Sequence, residues 1–154
     1  MRKILLALAL VGLFAAPAHA DGNFGIKAGT LSADGDTSSA TQVGLVYTWD
    51  FGGIVGVEGE LNTSLSKGAV GPVDYGVTQV AGYGVVMSPG PFYFKGKAGL
   101  AYTDLDFPGA SAKVGAAYGV GVGFELVGFV WELEWTRSKA DSADLDMISL
   151  SFKF

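Results

Sequence analysis

The chain of 154 residues has no cysteine and a single histidine, His19. That histidine lies in a segment that reads as removable. Arg2-Lys3 precede an apolar run from Ile4 to Ala16, and Ala18-His19-Ala20 stand ahead of Asp21. A basic start, an apolar stretch and an Ala-x-Ala site are the three parts of a secretory signal peptide. The run is shorter than the roughly 20 residues that a spanning helix needs, and no later stretch is long and apolar enough to be one. The expectation is a signal peptide over 1–20 and a single domain over 21–154.

Removal of 1–20 leaves neither thiol nor imidazole. Disulfide frameworks, Cys or His metal sites and His-based general base chemistry are therefore excluded, and no cofactor is expected. Eight basic side chains then stand against fifteen acidic ones, a net of −7. That balance argues against nucleic acid as a partner. Glycine is abundant, at 24 residues, but has no collagen-like period. Aromatics are too frequent for a disordered chain.

What the sequence does have is alternation. The last seven residues place Ile148, Leu150, Phe152 and Phe154 on one face and Ser149, Ser151 and Lys153 on the other. A two-residue period is a β-strand with one apolar face. The ending resembles that of bacterial outer-membrane β-barrel proteins, whose closing strand ends in Phe with hydrophobic residues at alternate positions before it. In that family it resembles the signal read by the barrel-insertion machinery. The resemblance makes Ile148, Leu150, Phe152 and Phe154 the implied assembly signal, with that machinery and periplasmic chaperones as partners during assembly.

Seven earlier stretches alternate in the same way. The first runs from about Phe24 to Leu31, with Lys27 on its polar face. Polar residues from Ser32 to Ala40 follow, then a strand ending at Trp49 and the tight turn Asp50-Phe51-Gly52-Gly53. The third strand carries Glu58 and Glu60 on one face, and a looser loop spans Thr63 to Val73. The fourth puts Tyr75, Val77, Ala81, Tyr83, Val85 and Met87 in one apolar row, with Gln79 as a misfit that either a bulge or a tolerated amide would explain. Ser88-Pro89-Gly90-Pro91 turns into a fifth strand, where Phe92, Phe94, Ala98, Leu100 and Tyr102 oppose Tyr93, Lys95, Lys97, Gly99 and Ala101. After a loop from Asp104 to Ser111, the sixth sets Val114 to Phe124 against Gly119, Gly121, Gly123 and Glu125. A turn through Leu126 to Gly128 leads to the seventh, with Glu132 and Glu134 opposite Trp131, Leu133 and Trp135. The charged loop Arg137 to Asp144 precedes the last strand.

Eight strands, with longer polar loops alternating with short turns, predict an all-β fold: an eight-stranded antiparallel up-and-down transmembrane β-barrel. A lipocalin-like barrel has the same count with its apolar face inward, so pattern alone does not decide. The aromatics do. Phe24, Trp49, Phe51, Phe92, Phe94, Phe124, Phe129, Phe152 and Phe154 sort to the short-turn ends; Tyr75, Tyr102 and Trp135 sort to the other. Interface aromatics sort by height and core aromatics need not.

The polar faces then fill a lumen only wide enough for side chains. Glu58, Glu60, Glu125, Glu132 and Glu134 are expected to pair there with Lys27, Lys95, Lys97 and Lys153, because charges removed from water must be paired. Gly119, Gly121 and Gly123 would leave room for the long side chains. A nucleotide-binding reading of those glycines fails on spacing and on the missing helix. Glu132 and Glu134 as an acid/base pair is less favoured than charge pairing, since they lie in the wall with no cleft. The lipid A deacylases, palmitoyltransferases and omptin-like proteases that this outline resembles rely on a catalytic His, which the mature chain lacks.

Function on such a barrel sits in the loops. Asp34, Asp36, Asp104, Asp106, Asp141, Asp144 and Asp146 line that rim without the spacing of a calcium loop, so a solvated rim is favoured over a divalent-cation site. Arg137 and Lys139 stand just above Trp135, where lipid phosphates lie, with solvation as the alternative. Leu105 and Phe107 read equally as a partner contact or a buried loop anchor. The chain resembles the OmpA and OmpX type without a periplasmic domain. That implies a non-enzymatic structural or surface-interaction protein with four short external loops, solute-tight and monomeric, in contact with outer-membrane lipid and lipopolysaccharide. The alternative is a small-solute porin or channel of the OmpW-like type.

Overall fold

A computed structural model describes residues 22–33, 38–106, 112–140 and 143–154; the expected signal peptide lies outside them. The strands are β1 (Gly22–Ala33), β2 (Ala40–Asp50), β3 (Val55–Ser64), β4 (Gly68–Val70), β5 (Val73–Met87), β6 (Phe92–Asp106), β7 (Lys113–Leu126), β8 (Phe129–Ala140) and β9 (Ala143–Lys153). Eight of them are staves of one closed antiparallel barrel, in the cyclic order β1-β2-β3-β5-β6-β7-β8-β9. The ninth, β4, is three residues long and folds back on the start of β5 within the loop read as 63–73. The first and last strands meet at the β1–β9 seam. There Phe24 N donates to Phe154 O (3.1 Å) and Phe154 N to Phe24 O (2.7 Å).

Tight turns join β2 to β3, β5 to β6 and β7 to β8, all at the end of the barrel that carries Phe24 and Phe154. At the first, Gly53 N donates to Asp50 Oδ1 (2.5 Å), with Gly52 and Gly53 at positive φ. The last is a two-residue hairpin turn with both central residues at positive φ, Val127 at 50° and Gly128 at 79°. Twist favours that turn type between two strands, but it suits Asn-Gly and strains a β-branched residue. Val127→Asn is therefore expected to stabilise the barrel by about 1 kcal/mol, read as a higher urea midpoint of the refolded protein with unchanged slope.

Burial alternates along every stave, and its sense is inverted relative to a soluble protein. Ile26, Phe94, Leu100, Val120, Val122, Trp131, Leu133, Ile148 and Leu150 are exposed, whereas Lys27, Glu58, Glu60, Lys95, Lys97, Glu132, Glu134 and Lys153 are all at most 4% accessible. An apolar exterior around a polar interior is the surface of a protein whose solvent is lipid. The aromatics at the turn end form a belt in two groups. Phe129 stacks on Phe152 at 5.4 Å, Phe152 touches Trp131 and Phe154, and Phe92 stacks on Phe124 at 4.5 Å.

The strand read as the fourth, now β5, corrects the sequence reading. Tyr75, Val77, Gln79, Ala81, Tyr83 and Val85 face the lumen and are buried; the lipid face is Gly76, Thr78, Val80, Gly82, Gly84 and Val86. Gln79 is no misfit, since its amide donates to Thr103 Oγ1 on the neighbouring strand (3.1 Å) and to Ser138 Oγ across the lumen (3.0 Å). Tyr75 belongs to no outer girdle. It is packed inside with Leu31, Val77, Leu145 and Met147. The physical reason is volume. The inward positions of β6 and β7 beside this strand are Gly99, Ala101, Gly115, Ala117 and Gly119, and only the bulk of β5 fills the space they leave.

Candidate functional site: a charged lumen between two ends

Alternation on β1, β3, β6, β8 and β9 turns their charged residues to one axis, and the register brings them to one level. Lys27 Nζ lies 2.6 Å from Glu60 Oε1 and 2.8 Å from Glu134 Oε1. Lys95 Nζ reaches Glu58 (2.7 Å), Glu132 (2.6 Å) and Glu134 (2.6 Å). Lys97 Nζ bonds Glu60 and lies 3.3 Å from Glu58 and 3.1 Å from Glu134. Lys153 Nζ contacts Glu58 and Glu132, each at 3.0 Å. Four ammonium groups thus share four carboxylates, and the network is neutral.

Polar neighbours complete it. Thr48 donates to Glu58 Oε2 (2.7 Å), Asn62 to Glu60 Oε2 (3.1 Å) and Tyr93 to Glu132 Oε2 (2.7 Å). The Lys97 ammonium sits 4.4 Å from the centre of the Tyr83 ring. These four residues were not among the expected members. Thr48, Asn62 and Tyr93 were legible in principle, as each lies two positions or one register step from a charged residue on the same polar face; Tyr83 was hidden by the inverted strand.

Room for the long side chains comes from β7. A side-chain carbon at Gly119 would meet Lys97 Cε at 3.2 Å and one at Gly121 would meet Glu134 Cγ at 2.9 Å, while the Tyr93 ring fills the space over Gly123. Carboxylate oxygens of Glu58, Glu60 and Glu134 approach within 4.8 Å of one another, a spacing that suits a cation. Lys27 and Lys97 supply that positive charge themselves.

Glu125 does not belong to the network. It is exposed at the end of β7, its backbone N bonded to Pro91 O (2.8 Å), on the rim of a cavity of about 320 Å³ that opens beside the turns. A polar-face position gives orientation but not burial, and Glu125 lies one register step beyond Glu132, in the end row with Val130 and Lys153. The opposite end of the lumen is closed by the apolar cluster of Leu31, Ala40, Tyr75, Val77, Leu145 and Met147. Leu105 packs against that cluster, so it serves as an anchor; Phe107 lies outside the described residues.

On the outer wall above Trp135, Arg137 forms a fork with Asp146, Nε to Oδ1 at 2.7 Å and Nη2 to Oδ2 at 2.6 Å, with its guanidinium 5.5 Å from the Trp135 ring centre. Lys139 is exposed and pairs in register with Asp144. Asp106 is 3.5 Å from Lys67 at the exposed rim; Asp34, Asp36 and Asp141 lie outside the described residues. Of the closing-strand residues, Ile148, Leu150 and Phe154 are exposed on the lipid face and Phe152 is half-buried among its ring neighbours.

No curated protein matches the chain. Solved structures do. Neisserial surface protein A (NspA) superposes with a TM-score of 0.71 at 8% identity, over 86% of this chain and 95% of that one. Ail, the attachment invasion locus protein of Yersinia pestis, gives 0.59 at 18% identity, over 88% and 99%. The outer membrane protein OprG of Pseudomonas aeruginosa gives 0.58 at 16%, over 88% and 97%. At these identities the likeness is one of fold. The outer membrane protein beta-barrel domain family matches residues 6–154, nearly the whole chain, and the protein belongs to that family.

Proposed function

We propose that this protein is a non-enzymatic, monomeric structural or surface-interaction barrel of the outer membrane. Residues 1–20 export it, and the insertion machinery and periplasmic chaperones deliver it. The observation that carries this reading is the closed lumen: a neutral Lys–Glu network in the middle and an apolar cluster above it. Paired carboxylates locked to lysines have no substrate access, which disfavours Glu132 and Glu134 as an acid/base pair. A filled lumen leaves the loop rim as the face that meets the surroundings, with lipopolysaccharide phosphates against Lys139 and Arg137 and solvent around the aspartates. The name of Ail, an attachment protein, is in keeping with a surface role.

The test is single-channel conductance of the refolded protein in a planar bilayer, alongside its boiled and unboiled gel mobility. A mobility shift with no steady current is the expected result. A stable open current would replace this reading with small-solute transport.

A further inference from the structure

The lipid face carries one feature that neither the charged lumen nor the loop rim uses. A groove of about 750 Å³ runs across β8, β9, β1, β2 and β3 on the outside of the barrel. Trp131, Phe152 and Ile26, which are register partners across three strands, form one bank; Leu150 and Val43 form the other. Ala28 stands in that second row, between its register partners Leu150 and Val43, where its single methyl leaves a gap above Ile26. Lys27, Gly44 and Ser151 also line the groove. The side chains of Lys27 and Ser151 point into the lumen and are buried, so they contribute backbone, and the groove reaches down to the strands themselves.

We propose that this groove binds a single acyl chain of a membrane phospholipid, laid across the seam where the first and last strands close. The groove begins at the aromatic belt, which it shares through Phe152, and rises into the band of exposed apolar residues, where an occupant must be apolar. Its volume is that of a ligand pocket. Its shape selects the kind of occupant: a flexible chain can follow the curve of five strands and reach their backbone, whereas a second barrel presents a convex wall that cannot enter. Its lower end opens at Trp131 beside the belt, the level at which the headgroup of a lipid in the turn-side leaflet lies. A chain held there touches the first and last strands at once.

The experiment uses a Trp49→Phe/Trp135→Phe protein, in which Trp131 alone reports. It is refolded into dioleoylphosphatidylcholine vesicles doped at low mole fraction with the mid-chain dibrominated analogue. Trp131 is expected to be quenched more than random lipid contact allows. Ala28→Phe fills the groove and is expected to abolish that excess, while Ala98→Phe, lipid-facing on β6 on the far side, leaves it intact. Heat-modified gel mobility reports folding of each variant, and Ala28→Leu substitutes if the Phe variant does not fold. Equal quenching in all three proteins would overturn the proposal. So would self-association at high lipid-to-protein ratio that Ala28→Phe removes, since the occupant would then be a second copy of the chain.

Discussion

Glu58→Gln is expected to destabilise the barrel by about 3–5 kcal/mol, because it leaves an ammonium group buried without its counter-charge. Glu58 is the most shared carboxylate of the lumen: Lys95, Lys97 and Lys153 all contact it, and Thr48 donates to it. The substitution keeps the shape and removes only the charge, so four lysines face three carboxylates. Adding Lys95→Met restores neutrality, with Lys27, Lys97 and Lys153 against Glu60, Glu132 and Glu134. Replacing both members of a buried pair by neutral groups of similar size is often close to neutral, so the double variant is expected to recover most of the loss. Urea midpoints of the refolded proteins give the comparison. A double variant as unstable as the single one would show that particular hydrogen bonds, and not charge balance, hold the lumen together.

The second large effect tests the inverted strand. Gly82 faces lipid midway along β5, and a side-chain carbon there would meet no atom within 4 Å. Gly82→Leu is therefore expected to be tolerated. Gly82→Arg adds a cation at the same uncrowded position and is expected to cost about 2–4 kcal/mol, the penalty for Arg near the midplane of a barrel's lipid face. The pair of variants separates charge from crowding. Had the apolar row of this strand faced outward, position 82 would lie in the lumen beside acidic residues, Leu would be the damaging change and Arg the tolerated one.

That strand also marks where the sequence stops being informative. Seven staves announce themselves because one face is polar and the other apolar, and the closing strand with Ser149, Ser151 and Lys153 against Ile148, Leu150 and Phe152 is the clearest. In β5 both rows are mostly uncharged, and neither carries a lysine or glutamate. Its orientation is set by its neighbours: Glu58 and Glu60 of β3 lie opposite Tyr83 and Ala81, and Lys97 of β6 lies opposite Val85. A pairing constraint of that kind is written in other strands. Members of the charge network were legible from alternation alone; alternation also drew in Glu125, which lies outside it because of where β7 ends. The fork between Arg137 and Asp146 was not legible, since it requires the β8–β9 register. The same register leaves Lys139 as the outer-wall cation opposite Asp144.

The lumen network joins residues far apart along the chain, Lys27 with Glu134 at a separation of 107 positions and Lys153 with Glu58 at 95. Only Lys153 with Glu132 lies within a single hairpin; every other ion pair of the network joins strands that are not consecutive. During assembly the eight charges must stay hydrated until β1 meets β9, because a half-closed sheet in lipid would carry them unpaired. Closure and neutralisation are thus one event. Such long-range pairing makes refolding slow and partly open forms costly, so the barrel is expected to open and close as a single unit, with no stave leaving alone.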